Sequence, residues 1–253
     1  MIQIKNISKQ YGKKWVLKDI NLDITSPQVV AILGPNGSGK STLTKTLMGM
    51  VIPTKGKIVV NDQSIKGGHQ YREQISYLPQ THSFPANLTS QEVIDLVTDI
   101  RGPGCEPDEL IEQFELEEHL DVKVGHLSSG TAQKLNLVLS FMYNLPIIVL
   151  DEPCVGLDPI AFHSFKTILK KQRTKEKVVI MSTHIMNLAE EMAERIVFLL
   201  EGKVCFDGNP HDLMKAHDTS NLEEAIVKMM KSSGNNLNGQ HRLSKIQTHV
   251  ESL

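Results

Sequence analysis

The sequence predicts an α/β fold: a parallel-sheet core, an antiparallel β subdomain on its N-terminal side, and a helical subdomain inserted into the core. Three observations predict it. Short apolar runs at residues 29–33, 147–150 and 178–181 suit buried strands, and they alternate with segments of helical spacing. The first run feeds Gly34-Pro35-Asn36-Gly37-Ser38-Gly39-Lys40-Ser41-Thr42, which fits G-x-x-x-x-G-K-[ST], the phosphate-binding P-loop. Finally, about 110 residues separate Lys40 from the next acidic strand end, where a βαβ unit needs only about 30, so the helices between them are an insertion.

The P-loop has the context its chemistry requires. A strand precedes it, and residues 41–50 carry Leu43, Leu47 and Met50 at helical spacing. Gly34, Gly37 and Gly39 permit turns that a Cβ forbids. The loop amides and the helix N-terminus then form an anion nest. Lys40 can reach β- and γ-phosphates, and the Ser41 hydroxyl can ligate Mg²⁺.

Taken in order, residues 2–7 and 15–24 read as strands, with Lys9-Gln10-Tyr11-Gly12 between them. Residues 57–62 add a strand and a polar turn, and the three suggest a small antiparallel sheet beside the core. Residues 75–78 form a further strand ending at Pro79-Gln80. Thr89-Ser90-Gln91-Glu92 is a capping box, and Val93, Ile94, Val97 and Ile100 then mark one face of a helix that Gly102-Pro103-Gly104 breaks. An acidic helix is expected over 108–118, a third over 130–143 and a fourth over 160–174. After the strand at 178–181 come Ser182-Thr183-His184, a helix to Glu194, and strands at 196–200 and 203–206. Ser220-Asn221-Leu222-Glu223 reads as a second capping box, with Leu222, Ile226, Met229 and Met230 packing a short helix onto the body. The expected organisation is a main domain over 1–218 with its helical part at about 83–145, a short helix at 219–231, and a mobile polar tail at 232–253.

Composition narrows the partners. Apolar residues make 40% and charged residues 22%, with a net charge of −2, so nothing basic points to nucleic acid. Cys105, Cys154 and Cys205 are singletons, which suits neither a disulfide framework nor a zinc site. No signal-peptide core and no apolar run near the roughly 18 residues of a membrane span occur, so a cytoplasmic chain is expected, with any membrane role coming through a partner. The ten histidines are scattered apart from His184, with His241 and His249 in the tail, and solvated polar residues are the simpler account than a metal site. Glu115, Glu117 and Glu118 read as a solvated helix face. Trp15 reads as ordinary packing.

Asp151 and Glu152 end an apolar strand. In a P-loop protein that puts Asp151 beside the nucleotide's Mg²⁺, usually through water, and an adjacent carboxylate can polarise an attacking water.

Along almost all of residues 1–210 the chain resembles the ATP-binding-cassette (ABC) ATPases. Tyr11 matches the aromatic that stacks on adenine, residues 34–42 the P-loop, and Gln80 the Q-loop glutamine. Leu127-Ser128-Ser129-Gly130-Thr131 holds the signature position, Gly156-Leu157-Asp158-Pro159 is the D-loop, and His184 the switch histidine. The resemblance implies a P-loop, RecA-like core and two subunits, a homodimer or a paired ABC subunit, facing head to tail around ATP and Mg²⁺. Each ATP would lie between one P-loop and the other subunit's Ser128 and Gly130. It further implies Glu152 as general base, His184 on the γ-phosphate, and Gln80, Ser41 and Asp151 at Mg²⁺. Gln80 would link core to helical insertion, and Asp158 would contact the opposite subunit. The signature departs from L-S-G-G-Q at Ser129 and Thr131, and Cys154 stands where a smaller or hydroxylated residue is more familiar. For Cys154 the two readings are a redox switch and a small, buried, inert side chain, of which the second is the simpler.

The runs at 127–134 and 151–161 look like ATPases that pair with ABC-2-type permeases, and are most similar to the ATPase of nitrous-oxide-reductase maturation, which serves copper-site assembly. The function implied is to power a separate membrane permease from the inner face of the cell membrane, with no nucleic acid expected. The alternatives are a soluble ABC ATPase of translation or DNA repair, and a nucleotide-switched regulator. The first usually carries two cassettes or long coiled coils, which do not occur here.

Overall fold

The computed structural model describes residues 2–81 and 84–234. The N-terminal sheet contains β1 (Ile2–Tyr11), β2 (Lys14–Ile24), β4 (Lys55–Val60) and the short β5 (Gln63–Ser64), in the order β2-β1-β4-β5, with antiparallel pairings. The strand read at 2–7 therefore runs on to Tyr11, with register shifts that bend it between Ile4 and Gln10. Trp15 does not pack in the core. It lies 37% exposed, with Lys18, Lys55 and Lys203 along an open groove of about 640 Å³.

The core sheet has the order β10-β9-β3-β8-β7-β6. Its parallel strands are β3 (Gln28–Leu33), β6 (Ile75–Leu78), β7 (Ile147–Asp151), β8 (Val178–Thr183) and β9 (Arg195–Leu200), and β10 (Lys203–Gly208) runs antiparallel to β9. Both faces are covered, which is why these strands read as unbroken apolar runs. Val30 and Ile32 face a core shared with the antiparallel sheet and α1 (Lys40–Leu47). Val29, Ala31 and Leu33 face the other core, where Phe165, Leu169 and Leu188 lie.

The helical insertion contains α2 (Ser90–Arg101), α3 (Asp108–Gln113) and α4 (Ser129–Phe141). The α2 capping box forms as expected: Thr89 accepts from the Glu92 amide and the Glu92 carboxylate accepts from the Thr89 amide. Val93 and Ile94 are buried, but Ile100 is 76% exposed and does not belong to the packed face. The acidic helix stops at Gln113 rather than 118. Glu115 turns at positive φ (54°), and a 3-10 turn follows at Glu117–His119, so Phe114 and Leu116 can both enter the core.

Beyond the insertion lie α5 (Pro159–Thr174), α6 (Met186–Met192), α7 (Pro210–Ala216) and α8 (Leu222–Gly234). α7 was not legible as a periodic run; its signal was Asn209-Pro210, a cap followed by Pro at the first helical position. α8 is capped by Asn221, whose side chain accepts from the Glu224 amide, one residue later than the box read at Ser220. Leu222 and Ile226 are buried, and Met229 and Met230 pack partly against the same core. The helix runs through residues 232–234, which the sequence assigned to the tail; the rest of that tail, 235–253, lies outside the described residues.

Candidate functional site

Parallel strands present their C-terminal ends on one edge of the sheet, and loops leaving that edge are where such folds bind ligands. Here β3, β8, β7 and β6 are neighbours. Their ends deliver residues 34–39, Ser182 to His184, Asp151 with Glu152, and Gln80 to one place. Register makes the alignment definite, since Leu33 pairs with Thr183, Asp151 with Ser182, and Leu78 with Leu150.

The loop from Gly34 to Gly39 needs glycine most at its first position. A Cβ on Gly34 would lie 2.2 Å from the Leu199 carbonyl oxygen of β9 and 2.7 Å from Ser38 Oγ, so the loop can run against the sheet only without a side chain. Lys40 begins α1 and curls back over the loop. Its Nζ donates to Gly34 O at 2.8 Å and lies 3.5 Å from Pro35 O. Asn36, Ser38 and Thr42 complete the loop and first turn; Ser38 is buried, and its Oγ has no hydrogen-bond partner within the described residues.

Two carboxylates meet this loop. Lys40 Nζ is 3.1 Å from Glu152 Oε1, both side chains being only 5% exposed, and His184 Nδ1 is 2.9 Å from Glu152 Oε2. Both oxygens of the expected general base are thus engaged. Glu152 sits at positive φ (52°), an uncommon conformation for a residue with a side chain. Its amide donates to Ser182 O and to Ser182 Oγ. Next to it, Asp151 is fully buried; its Oδ1 accepts from Ser41 Oγ at 3.0 Å and Ser182 Oγ at 2.5 Å. Ser41 Oγ also reaches Gln80 Oε1 at 3.3 Å.

The donor set of Ser41, Gln80 and Asp151 fits a hard divalent cation, because it is all oxygen and includes Asp151 Oδ2, which is buried without a hydrogen-bond partner. Ser182 was not singled out by the sequence. A serine near a strand end is commonplace; only the β7-β8 pairing places it between the Asp151 carboxylate and the Glu152 amide.

The remaining residues lie in two other groups. Tyr11 ends β1 with its ring 48% exposed and the Lys9 ammonium 4.8 Å from its centroid. Ser128 caps α4, accepting from the Thr131 amide at 3.1 Å, and its hydroxyl is 2.8 Å from Thr131 Oγ1. Thr131, the departure from glutamine, closes the cap. Ser129 is exposed in the first turn. Gly130 packs on the loop after Glu152, where a Cβ would meet Gly156 O at 2.8 Å. Asp158 Oδ1 caps α5 through the Ala161 amide at 2.8 Å, and its Oδ2 pairs with Lys134 at 3.0 Å. Both oxygens of Asp158, the residue expected to contact the opposite subunit, are therefore engaged within its own chain. Burial, and then the Glu152 carboxylate, push the Cys154 thiol up to about 12, which makes it inert.

This strand-end arrangement is that of a P-loop nucleoside triphosphatase, and the helical insertion that ends in a serine-capped helix narrows the class to a cassette-type nucleotide-binding domain. Comparison with known proteins makes the assignment specific. Residues 17–155 match the ABC transporter family, and the chain belongs to it. It is an ATP-binding, ATP-hydrolysing subunit of that family. It is 31% identical to the Nod factor export ATP-binding protein I of Rhizobium sp. (strain N33) over 222 residues, covering 85% of this chain and 73% of that protein. It is 29% identical to the ABC-type transporter ATP-binding protein EcsA of Bacillus subtilis (strain 168), covering 84% and 89%. A solved ATP-binding subunit of an ABC transporter superposes with a TM-score of 0.83 at 30% identity, covering 90% of this chain and 99% of that one. A dimeric ATP-binding cassette in a post-hydrolysis state with ADP and Pi superposes at 0.75 with 27% identity, covering 83% and 98%.

Proposed function

We propose that the chain powers a separate membrane permease by closing as an ATP-dependent head-to-tail dimer. The observation that carries this reading is the arrangement of Lys40, Glu152 and His184. Lys40 holds the would-be base through an ion pair at 3.1 Å. An ATP polyphosphate is a stronger partner for the lysine than one carboxylate. Lys40 would move to the β- and γ-phosphates, and Glu152 Oε1 would become free to accept a proton from water. His184 would keep Glu152 oriented through Oε2 and hydrogen-bond the γ-phosphate through its other nitrogen. Tyr11 would stack on adenine. Ser41, Asp151 and Gln80 would hold Mg²⁺, which when bound neutralises phosphate charge. Ser128 and Gly130, at the N-terminus of α4, would meet the partner's ATP. Val155 and Ile160, 53% and 61% exposed on either side of Asp158, suit an interface between subunits.

Glu152→Gln tests the sandwich. The amide keeps the shape but cannot take a proton, so hydrolysis should stop while binding persists. With ATP and Mg²⁺ the variant is expected to elute as a dimer in size-exclusion chromatography; a monomer under every nucleotide condition overturns the mechanism.

The helical subdomain would contact the permease. Leu96 and Ile100, one turn apart on α2 and 40% and 76% exposed, suit that contact. None of the helices among the described residues is long and apolar enough to cross a membrane. The peripheral place at the inner face would come through the permease. The finer reading, service to nitrous-oxide-reductase copper assembly, rests on the resemblance of residues 127–134 and 151–161. Among the described residues no three His, Cys, Asp or Glu side chains cluster as a metal site. On this reading the choice of substrate resides in the membrane and periplasmic partners. Purification of a complex with its permease, followed by identification of what drives its ATPase, tests that step.

A further inference from the structure

We propose that Tyr77 is a positioning residue for the cation end of the site: its hydroxyl and the free oxygen of Asp151 hold between them a water of the cation's shell, and so set the affinity for Mg²⁺. The inference rests on the reading above, in which Ser41, Asp151 and Gln80 hold Mg²⁺. A buried tyrosine hydroxyl normally finds a hydrogen-bond partner, because leaving it without one costs free energy that a phenylalanine would not. Tyr77 Oη is buried and has none within the described residues. Hydroxyls of α1 and β6 are committed elsewhere. Ser41 Oγ serves Asp151 and Gln80, Thr44 Oγ1 donates to Ser41 O at 3.1 Å within its own helix, and Ser76 Oγ donates to Ser140 O.

Register puts Tyr77 on the side of the sheet where the cation is expected. It pairs with Val149 across β6 and β7, and Asp151 lies two residues beyond Val149, hence on the same face. Tyr77 and Val149 belong to the core that α1 covers, and Ser41 is in the first turn of α1. Burial, and then the negative charge of Asp151, push the Tyr77 hydroxyl above the usual tyrosine range, so it stays neutral, and the second cause places the carboxylate within its electrostatic reach. Asp151 Oδ1 is taken by Ser41 and Ser182, which leaves Oδ2, also buried without a partner. A neutral hydroxyl and a carboxylate oxygen are thus the two buried acceptors left open at this end of the site. Mg²⁺ dehydrates reluctantly and keeps several waters when bound to protein. Each such water has two protons to donate, one for each acceptor. Outer-shell partners of this kind orient the ligands and tune the metal.

The experiment compares Tyr77→Phe and Asp151→Asn with the parent in the full chain. It measures Mn²⁺ affinity of the complex with adenylyl imidodiphosphate by electron paramagnetic resonance, affinity for that nucleotide in the presence of EDTA, and the melting temperature of the nucleotide-free protein. Tyr77→Phe is expected to weaken Mn²⁺ binding by about tenfold, the lower end of what loss of an outer-shell partner costs. Nucleotide affinity in EDTA should stay at the parental value, and the nucleotide-free protein should melt at the parental temperature or higher, because the hydroxyl has no partner there. Parental Mn²⁺ affinity in Tyr77→Phe overturns the proposal. So does an equal loss of nucleotide affinity in EDTA, or a lower melting temperature, since either would give the hydroxyl a role that does not involve the cation. Asp151→Asn separates the two readings. If it weakens Mn²⁺ binding while Tyr77→Phe does not, only the role of Tyr77 fails; if it binds Mn²⁺ as the parent does, the cation site is misplaced and the role of Tyr77 falls with it.

Discussion

Lys40 and Glu152 form an ion pair in which each side chain is 5% exposed, and that burial decides what their substitutions do. Removing one member of a buried pair strands the other's charge, at about 3–5 kcal/mol. Lys40→Ala should therefore show two effects. Hydrolysis and most ATP affinity disappear, because the phosphates lose their point charge, and the nucleotide-free protein melts earlier, because Glu152 keeps only His184. Calorimetric ATP titration and a melting curve check both; unchanged affinity and turnover would sink the site assignment. Ser129 is a milder case. It is exposed in the first turn of α4 and occupies a position where the family usually has glycine. Ser129→Gly should leave steady-state activity within about tenfold of the parent, since one hydrogen bond is worth roughly 0.5–1.5 kcal/mol net.

Among the elements, α2 depends on its cap more than its length suggests. Thr89 and Glu92 satisfy two otherwise orphaned amides reciprocally. Thr89→Ala should cost about 1 kcal/mol and lower the melting temperature by roughly 2–4 °C, measured by thermal unfolding followed by circular dichroism. The start of α5 adds a pH dependence. The Ala161 amide, and then Lys134, hold the Asp158 carboxyl below its usual range. A depressed folded-state pKa gives a contribution that is complete above the ordinary carboxylate range and lost as pH falls through the folded value. The cap and its tie to α4 should thus persist at neutral pH and weaken only in acid. Asp158→Asn should remove that part of the acid dependence of unfolding. These elements were largely legible in advance, because a capping box and a 3.6-residue period are written in adjacent residues. The early end of α3 and the outward face of Ile100 were not, because the choice between them depended on which side chains the core could accommodate.

Charge is distributed unevenly over the whole molecule. Residues 1–66 hold ten lysines against three acids, whereas residues 89–126 hold eleven acids against two bases. The small net charge of −2 conceals this division. An acidic helical subdomain suits a permease whose cytoplasmic loops are rich in Lys and Arg, as membrane topology favours. Binding to permease-containing vesicles should accordingly weaken as salt rises from about 0.15 M towards about 1 M, where the screening length falls from roughly 8 Å to 3 Å. Co-sedimentation measures it, and salt-independent binding would assign the contact to apolar residues such as Leu96 and Ile100 instead.

Fold class, phosphate loop and acidic strand end were legible in the residues alone, because each is a contiguous run whose chemistry and geometry are local. So was the covering of the core strands on both faces, since only continuous apolar runs allow that. The relations among those pieces came only with packing. Ser182 bridges Asp151 and Glu152 only because β7 and β8 are neighbours in that register. Lys40 engages Glu152, and Lys134 engages Asp158, across separations that no local period encodes. Strand order and register bring such residues together, and they arise from burying the whole sheet at once rather than from any single stretch of chain.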